Sequence, residues 1–141
     1  MWIYPLSLYN SGTAPALLDS RTTSTSVPGA SYLGYTGVNY ALGSEIGWKD
    51  NTAFVTTGIV TINTWNHIAV VRSGSTLSMY IGGAVTSSTT NTTNYTIPFK
   101  YIGISYNGLS FNGYIDDLRI TQAARYTLNP FTPPLTYPQL K

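Results

Sequence analysis

Cysteine is absent from all 141 residues. That excludes a disulfide framework and a thiolate metal site together. Charge is scarce as well. Seven Lys and Arg against five Asp and Glu make up 9% of the chain and leave a net charge of +2. Ordinary globular proteins carry roughly 25% charged residues. The cations are scattered from Arg21 to Lys141. Binding nucleic acid through counterion release needs several of them clustered, so no nucleic-acid partner is expected. There is one histidine, His67. A catalytic reading needs a nucleophile and an orienting acid beside it, and no motif places them. His67 is therefore expected to have a structural surface role. No apolar run approaches the ~18 residues of a membrane span. Met1-Trp2-Ile3-Tyr4-Pro5 lacks the basic start and apolar stretch of a signal peptide. Export would then use another route, such as assembly into a larger particle.

The length suits one domain with a core of its own, and a hydrophobic fraction of 43% argues against disorder. Ser, Thr, Asn, Gly and Tyr stand in for the missing charges. This composition suits β-structure with uncharged polar surfaces, as in secreted adhesins and virion proteins.

Strand signals run the length of the chain. Residues Trp2–Leu6 read as a strand that Pro5 places at an edge or at a strand end. Ala16–Asp19 reads as a second strand. Ser20–Ser31 is rich in Ser, Thr, Pro and Gly and reads as a loop. Ser31–Tyr35 and Asn39–Ile46 read as a pair, followed by a turn at Lys49-Asp50-Asn51 and a strand at Ala53–Thr56. Ile68–Arg72, a turn at Ser73-Gly74-Ser75, and the alternating Leu77–Ile81 form the clearest block. Gly82-Gly83 is a hairpin signal leading to Ala84–Ser88. Ser87–Thr96 reads as a polar loop, Tyr101–Tyr106 as a strand, Asn107-Gly108 as a turn, and Asn112–Ile120 as the longest strand. Thr121–Arg125 allows one helical turn. Asn129–Gln139 carries four prolines and reads as an extended surface arm or a linker. The expected division is a sandwich over residues 1–128 and an arm over 129–141. Many short strands with turns every ~8–12 residues imply an all-β sandwich or barrel.

Residues Asn63–Arg72, with Trp65 at their centre, and Leu77–Gly83 resemble the laminin-G-like family of concanavalin-A-like folds. Phe111-Asn112-Gly113-Tyr114-Ile115-Asp116-Asp117-Leu118-Arg119-Ile120 resembles that family's closing strand. Ala124-Arg125-Tyr126 and Phe131-Thr132-Pro133-Pro134 are similar to the tail of versions carried by phage tail and virion proteins. The resemblance implies two stacked antiparallel sheets in a jelly roll. One departure stands out: an apolar strand that normally precedes Trp2–Leu6 is missing, and an unpaired edge would favour a partner.

Asp116 and Asp117 are adjacent acids. Alternation groups Asp116 with Tyr114, Leu118 and Ile120 as a core-facing set and turns Asp117 away with Ile115 and Arg119. A buried carboxylate needs a partner, so Asp116 is expected to accept from Arg125 or from the backbone after Ile120. Calcium at Asp116 or Asp117 stays open, although calcium wants six to eight oxygens; otherwise no cofactor is expected. Trp65 and Trp2 read as core. Sugars stack on exposed aromatics while Asn or Asp fixes their hydroxyls. That chemistry points to Trp48, Asp50 and Asn51 in one predicted turn, Tyr106 and Asn107 in another, and Tyr35 and Tyr40 around a third. The alternative is that these are ordinary core or hairpin aromatics. The concanavalin-A-like hydrolases, by resemblance, place their acids on one strand as acid-x-acid-x-x-acid, and no such spacing occurs here. The expectation is a non-catalytic carbohydrate-recognition or adhesion module of a phage tail or virion protein. It would sit in the particle or outside cells, with a glycan or a virion or tail protein as partner, as an oligomer or part of a larger assembly, and with no membrane insertion. The competing expectation is a structural decoration or protein-interaction domain.

Overall fold

The computed structural model describes residues 1–7, 15–23, 28–35, 45–50, 53–127 and 130–134. The described strands are β1 (Trp2–Pro5), β2 (Ala16–Asp19), β3 (Ser31–Tyr35), β4 (Glu45–Asp50), β5 (Phe54–Ile59), β6 (Asn66–Ser73), β7 (Thr76–Ile81), β8 (Ala84–Thr90), β9 (Tyr101–Ile102) and β10 (Gly113–Asp116). They form two five-stranded antiparallel sheets, ordered β10-β1-β6-β7-β8 and β5-β4-β3-β2-β9. The fold is the expected all-β sandwich.

The β6–β7–β8 meander follows from local chemistry. Ser73 pairs with Thr76 and Ile81 with Ala84, leaving two-residue loops. Gly82 and Gly83 have φ of 57° and 90°, the left-handed pair that a type I′ hairpin requires. In the second sheet, Leu18, Leu33, Trp48 and Val55 stand opposite one another across successive ladders. All four are buried, and they meet Ile3, Ile68, Leu77 and Met79 from the first sheet. Each such side chain contributes about 1.5–3 kcal/mol by leaving water.

Several expected boundaries move. β4 runs on through Asp50 where a turn was expected, because Asp50 and Ser31 stand opposite each other at the end of the β3–β4 ladder. Of Asn39–Ile46, only Glu45 and Ile46 lie within the described residues. β8 extends to Thr90, into the expected polar loop, because Leu77 and Thr76 of β7 continue to pair with Thr89 and Thr90. β9 is two residues long, followed by an isolated bridge between Ile104 and Ser110. Residues 121–125 form no helical turn. β1 lies inside its sheet, between β10 and β6, with Pro5 at its end.

The closing strand is four residues long. Asp117, at φ 46°, takes a left-handed conformation and turns the chain out of the sheet. Its faces are also the reverse of those expected. Ile3 is fully buried, and Ile115 stands directly opposite it. Residues opposite each other share a face, so Ile115 packs toward the core. Tyr114, 48% exposed, and Asp116 therefore face out.

Residues 130–134 of the arm lie against the outer face of β6 and β7. Phe131 N–H donates to the Gly83 carbonyl at 3.0 Å. The Phe131 ring stacks on Tyr126 at 3.7 Å and packs against His67 and Tyr80. This is why Tyr80, expected to be on the open face of a half-buried strand, is buried. His67 is likewise buried and not on the surface, enclosed by Trp2, Tyr126 and Phe131. Trp65 is half-buried, edge-on to Tyr4 at 5.5 Å.

Candidate functional site

β2 ends on Asp19, which is fully buried on the outer side of the second sheet. Such a carboxylate must be matched by donors, and four are present. Its Oδ1 accepts from Arg21 N–H and Nε, both at 2.9 Å. Its Oδ2 accepts from the Arg21 terminal nitrogen at 2.7 Å and from the Tyr106 N–H at 3.1 Å. This two-pronged grip fixes the plane of the guanidinium. Two rings lie against it: the Tyr32 centre at 3.8 Å and the Tyr106 centre at 4.8 Å. Cation–π attraction is worth about 0.5–2 kcal/mol per contact. Burial raises the Tyr32 phenol pKa above 10, while the Arg21 charge pulls it the other way.

The ladders extend this cluster into a row. Asp19 stands opposite Tyr101 on one side and Tyr32 on the other, and Tyr32 stands opposite Lys49. The turn Ser105–Leu109 folds over the end of the row. It is closed by Ser105 N–H to Leu109 carbonyl and Gly108 N–H to Ser105 carbonyl, both at 2.9 Å. Gly108, at φ 86°, supplies the left-handed residue. The Ser105 hydroxyl donates to Asn107 Oδ1, which fixes that side chain. The result is an outer surface of three half-buried tyrosines, with Asn107 and Lys49 exposed beside them. Aromatic faces and fixed polar groups of this kind suit a hydroxylated ligand.

Of the residues expected at a sugar rim, Tyr106 and Asn107 are in this cluster. Trp48 is not in a turn but in β4, 8% exposed in the core. Its indole N–H donates to Tyr95 Oη at 3.2 Å. Asp50 is buried too. It accepts from Ala53 N–H at 2.7 Å, Asn91 Nδ2 at 2.8 Å and Tyr95 Oη at 2.6 Å. Burial first, then the bond to Asp50, pushes the Tyr95 phenol pKa up to about 12. Tyr35 is buried, stacked on Phe111 at 6.1 Å, with burial raising its phenol pKa to about 12. Trp48 stands opposite the buried Leu33 and shares its face, while Asp50 is drawn in by its three donors. Tyr40 and Asn51 lie outside the described residues. Asp19, Arg21, Tyr32 and Tyr101 were not anticipated; the Asp19-Ser20-Arg21 spacing at a strand end was the available signal.

Asp116 meets neither Arg125 nor the backbone after Ile120. Asp116 is exposed, and its Oδ1 accepts from the Asp117 N–H next to it. Asp117 accepts from Arg119 Nε at 2.8 Å, while Arg125 lies over the Tyr126 ring at 5.8 Å. Asp117 is thus neutralised by Arg119. Among the described residues no group of three or more His, Cys, Asp or Glu could hold a metal ion.

His67 is a further buried titratable group outside this cluster. Among the described residues its Nδ1 has no hydrogen-bond partner. Burial, reinforced by the nearby N-terminal ammonium, lowers its pKa to about 4, with Asp117 pulling the other way.

Two five-stranded antiparallel sheets with an aromatic and polar outer surface define a β-sandwich of the lectin-like class. The model of the concanavalin A-like lectin/glucanases superfamily, in its laminin-G-like form, matches residues 1–127, and the chain belongs to that family. Neither the curated proteins nor the solved structures gave a match.

Proposed function

We propose that this domain is a non-catalytic carbohydrate-recognition module that binds its glycan on the outer face of the second sheet. The observation that carries this reading is the Tyr101–Tyr32–Tyr106 surface, with Arg21 clamped in it by Asp19 and with Asn107 and Lys49 at its margin. A sugar ring would stack on tyrosine, and the Asn107 amide and Lys49 ammonium would meet its hydroxyls. The family supports the class of ligand, although fold alone does not fix function.

The commitment of the acids supports a binding role over hydrolysis. Glycoside hydrolysis uses two carboxylates across the scissile bond. Asp19 and Asp50 are buried and fully occupied by donors, and Asp117 is paired with Arg119. The proposed setting is a phage tail or virion particle, on the strength of the charge-poor, Ser/Thr/Tyr-rich composition and the Ala124–Tyr126 and Phe131–Pro134 pattern. A second reading, a structural decoration or protein-interaction domain, is favoured by one observation: Ile102, Tyr114 and Ile120 are large apolar side chains left exposed.

A glycan array with the purified domain, with and without calcium, tests the first reading. Saturable binding lost in Tyr106→Ala, with the variant still folded, is the expected result. Silence across the array from folded protein would overturn it in favour of the interaction reading.

A further inference from the structure

The outer face of the second sheet carries more positive charge than negative. Its buried carboxylate, Asp19, is occupied by Arg21 and the Tyr106 N–H. Two further cations border the row. Lys49 is exposed and stands opposite Tyr32 at one end. Lys100 is exposed beside Tyr101 at the other end, where its N–H donates to the Asp19 carbonyl at 2.9 Å. The chain has five acids in all, and the other four do not offset these lysines. Asp50 is buried and held by Asn91 and Tyr95. Asp116 and Asp117 lie at the end of β10 in the first sheet. Glu45 begins β4, about 13 Å from Lys49 at strand rise. That exceeds the screening length of about 8 Å at physiological salt.

Arg21 itself is not saturated. A guanidinium carries its N–H donors in a rigid planar fork. Asp19 takes one edge, through Nε at 2.9 Å and a terminal nitrogen at 2.7 Å. The edge between the two terminal nitrogens makes no hydrogen bond among the described residues. The Arg21 side chain is 17% exposed and that of Asp19 0%. Asp19 closes the inner edge, so the exposed edge is the open one. The Tyr32 and Tyr106 rings hold the plane in place. Such an edge is preorganised for an anion, with little rotamer freedom left to lose on binding.

We propose that the saccharide bound on this face is acidic, a uronate whose carboxylate seats on the open edge of Arg21. The inference rests on the glycan reading above and adds the class of sugar. A planar carboxylate matches the two parallel N–H bonds that the edge offers. Tyr32 and Tyr106 take the pyranose faces beside it. Lys49, Tyr32, Asp19 and Tyr101 stand in line across four strands, a span of about 14 Å at the usual strand spacing. That length accommodates a short oligosaccharide. In a chain of uronates, Lys49 and Lys100 meet the carboxylates on either side of the one held by Arg21.

The test titrates the whole domain with trisaccharides of galacturonate, mannuronate and guluronate, each beside its methyl ester. Amide and arginine Nε–H shifts are the readout. Esterification removes the charge and keeps the ring and its hydroxyls. The expected result is saturable binding of at least one acid, with shifts at the Arg21 Nε–H and at the Tyr32, Tyr101 and Tyr106 amides. Its ester should bind at least tenfold more weakly. Lys49→Gln, a change at an exposed position, should weaken binding of the acid about threefold. Because the main comparison is made in the ligand, folding of the domain is not in question. Equal binding of acid and ester would overturn the acidic preference and leave the glycan reading standing. So would binding of neutral oligosaccharides at this face by a domain that takes none of the acids. Silence from every acidic and neutral sugar would overturn both.

Discussion

Lowering the pH from 8 to 4 should destabilise this domain through His67. The imidazole is 3% exposed, boxed in by Trp2, Tyr126 and Phe131. Burial and the N-terminal ammonium lower its pKa from 6.5 to about 4. A depressed base is neutral in the fold and protonated in the unfolded chain across that interval. The unfolded state then binds more protons, so stability rises with pH between about 4 and 6.5 and levels off above. At about 1.4 kcal/mol per pH unit, the whole interval amounts to roughly 3 kcal/mol. With a urea slope of about 1–3 kcal/mol per molar, the midpoint falls by roughly 1–3 M. Urea unfolding of the wild type and of His67→Phe at several pH values isolates the effect, because other titrating groups are common to both. The wild-type curve should drop away from the variant's below pH 6.5. Parallel curves from pH 8 to 4 would refute the reasoning.

Two further outcomes follow from packing. Asp50→Asn sets an amide nitrogen among the Ala53, Asn91 and Tyr95 donors that now converge on the carboxylate. It should cost about 1.5–3 kcal/mol in urea unfolding, the range for buried bonds to a charged group. Gly83→Ala sets a methyl 1.8 Å from the Phe131 carbonyl oxygen, at a residue with φ +90°. The arm over residues 130–134 should lift while the sandwich stays folded, seen as faster chymotryptic cleavage at Phe131.

Where neighbours in sequence decide the structure, the sequence was readable. The bounds of β2 and β3 fell where expected, and the β6–β7–β8 meander announced itself through alternation and two glycine-bearing turns. Alternation alone could not say which face of β10 is inward. Tyr114 and Leu118 made one set and Ile115 the other, and the register with Ile3 settled it. Lys49-Asp50-Asn51 has turn-forming residues, yet Asp50 ends a strand as an acceptor for donors at positions 91 and 95. The Asp19–Arg21 clamp depends on Tyr106, 87 residues away. No local pattern reports a contact at that distance, which is why only Tyr106 and Asn107 of the outer-face cluster were in view beforehand.

Mapping amide shifts on the labelled domain, as pooled oligosaccharides are titrated in, addresses ligand binding at the outer face most directly. The account predicts saturable shifts grouped at Tyr32, Tyr101, Tyr106 and Asn107, absent in Tyr106→Ala. No shifts from any pool, or saturable shifts confined to residues away from this face, would contradict it.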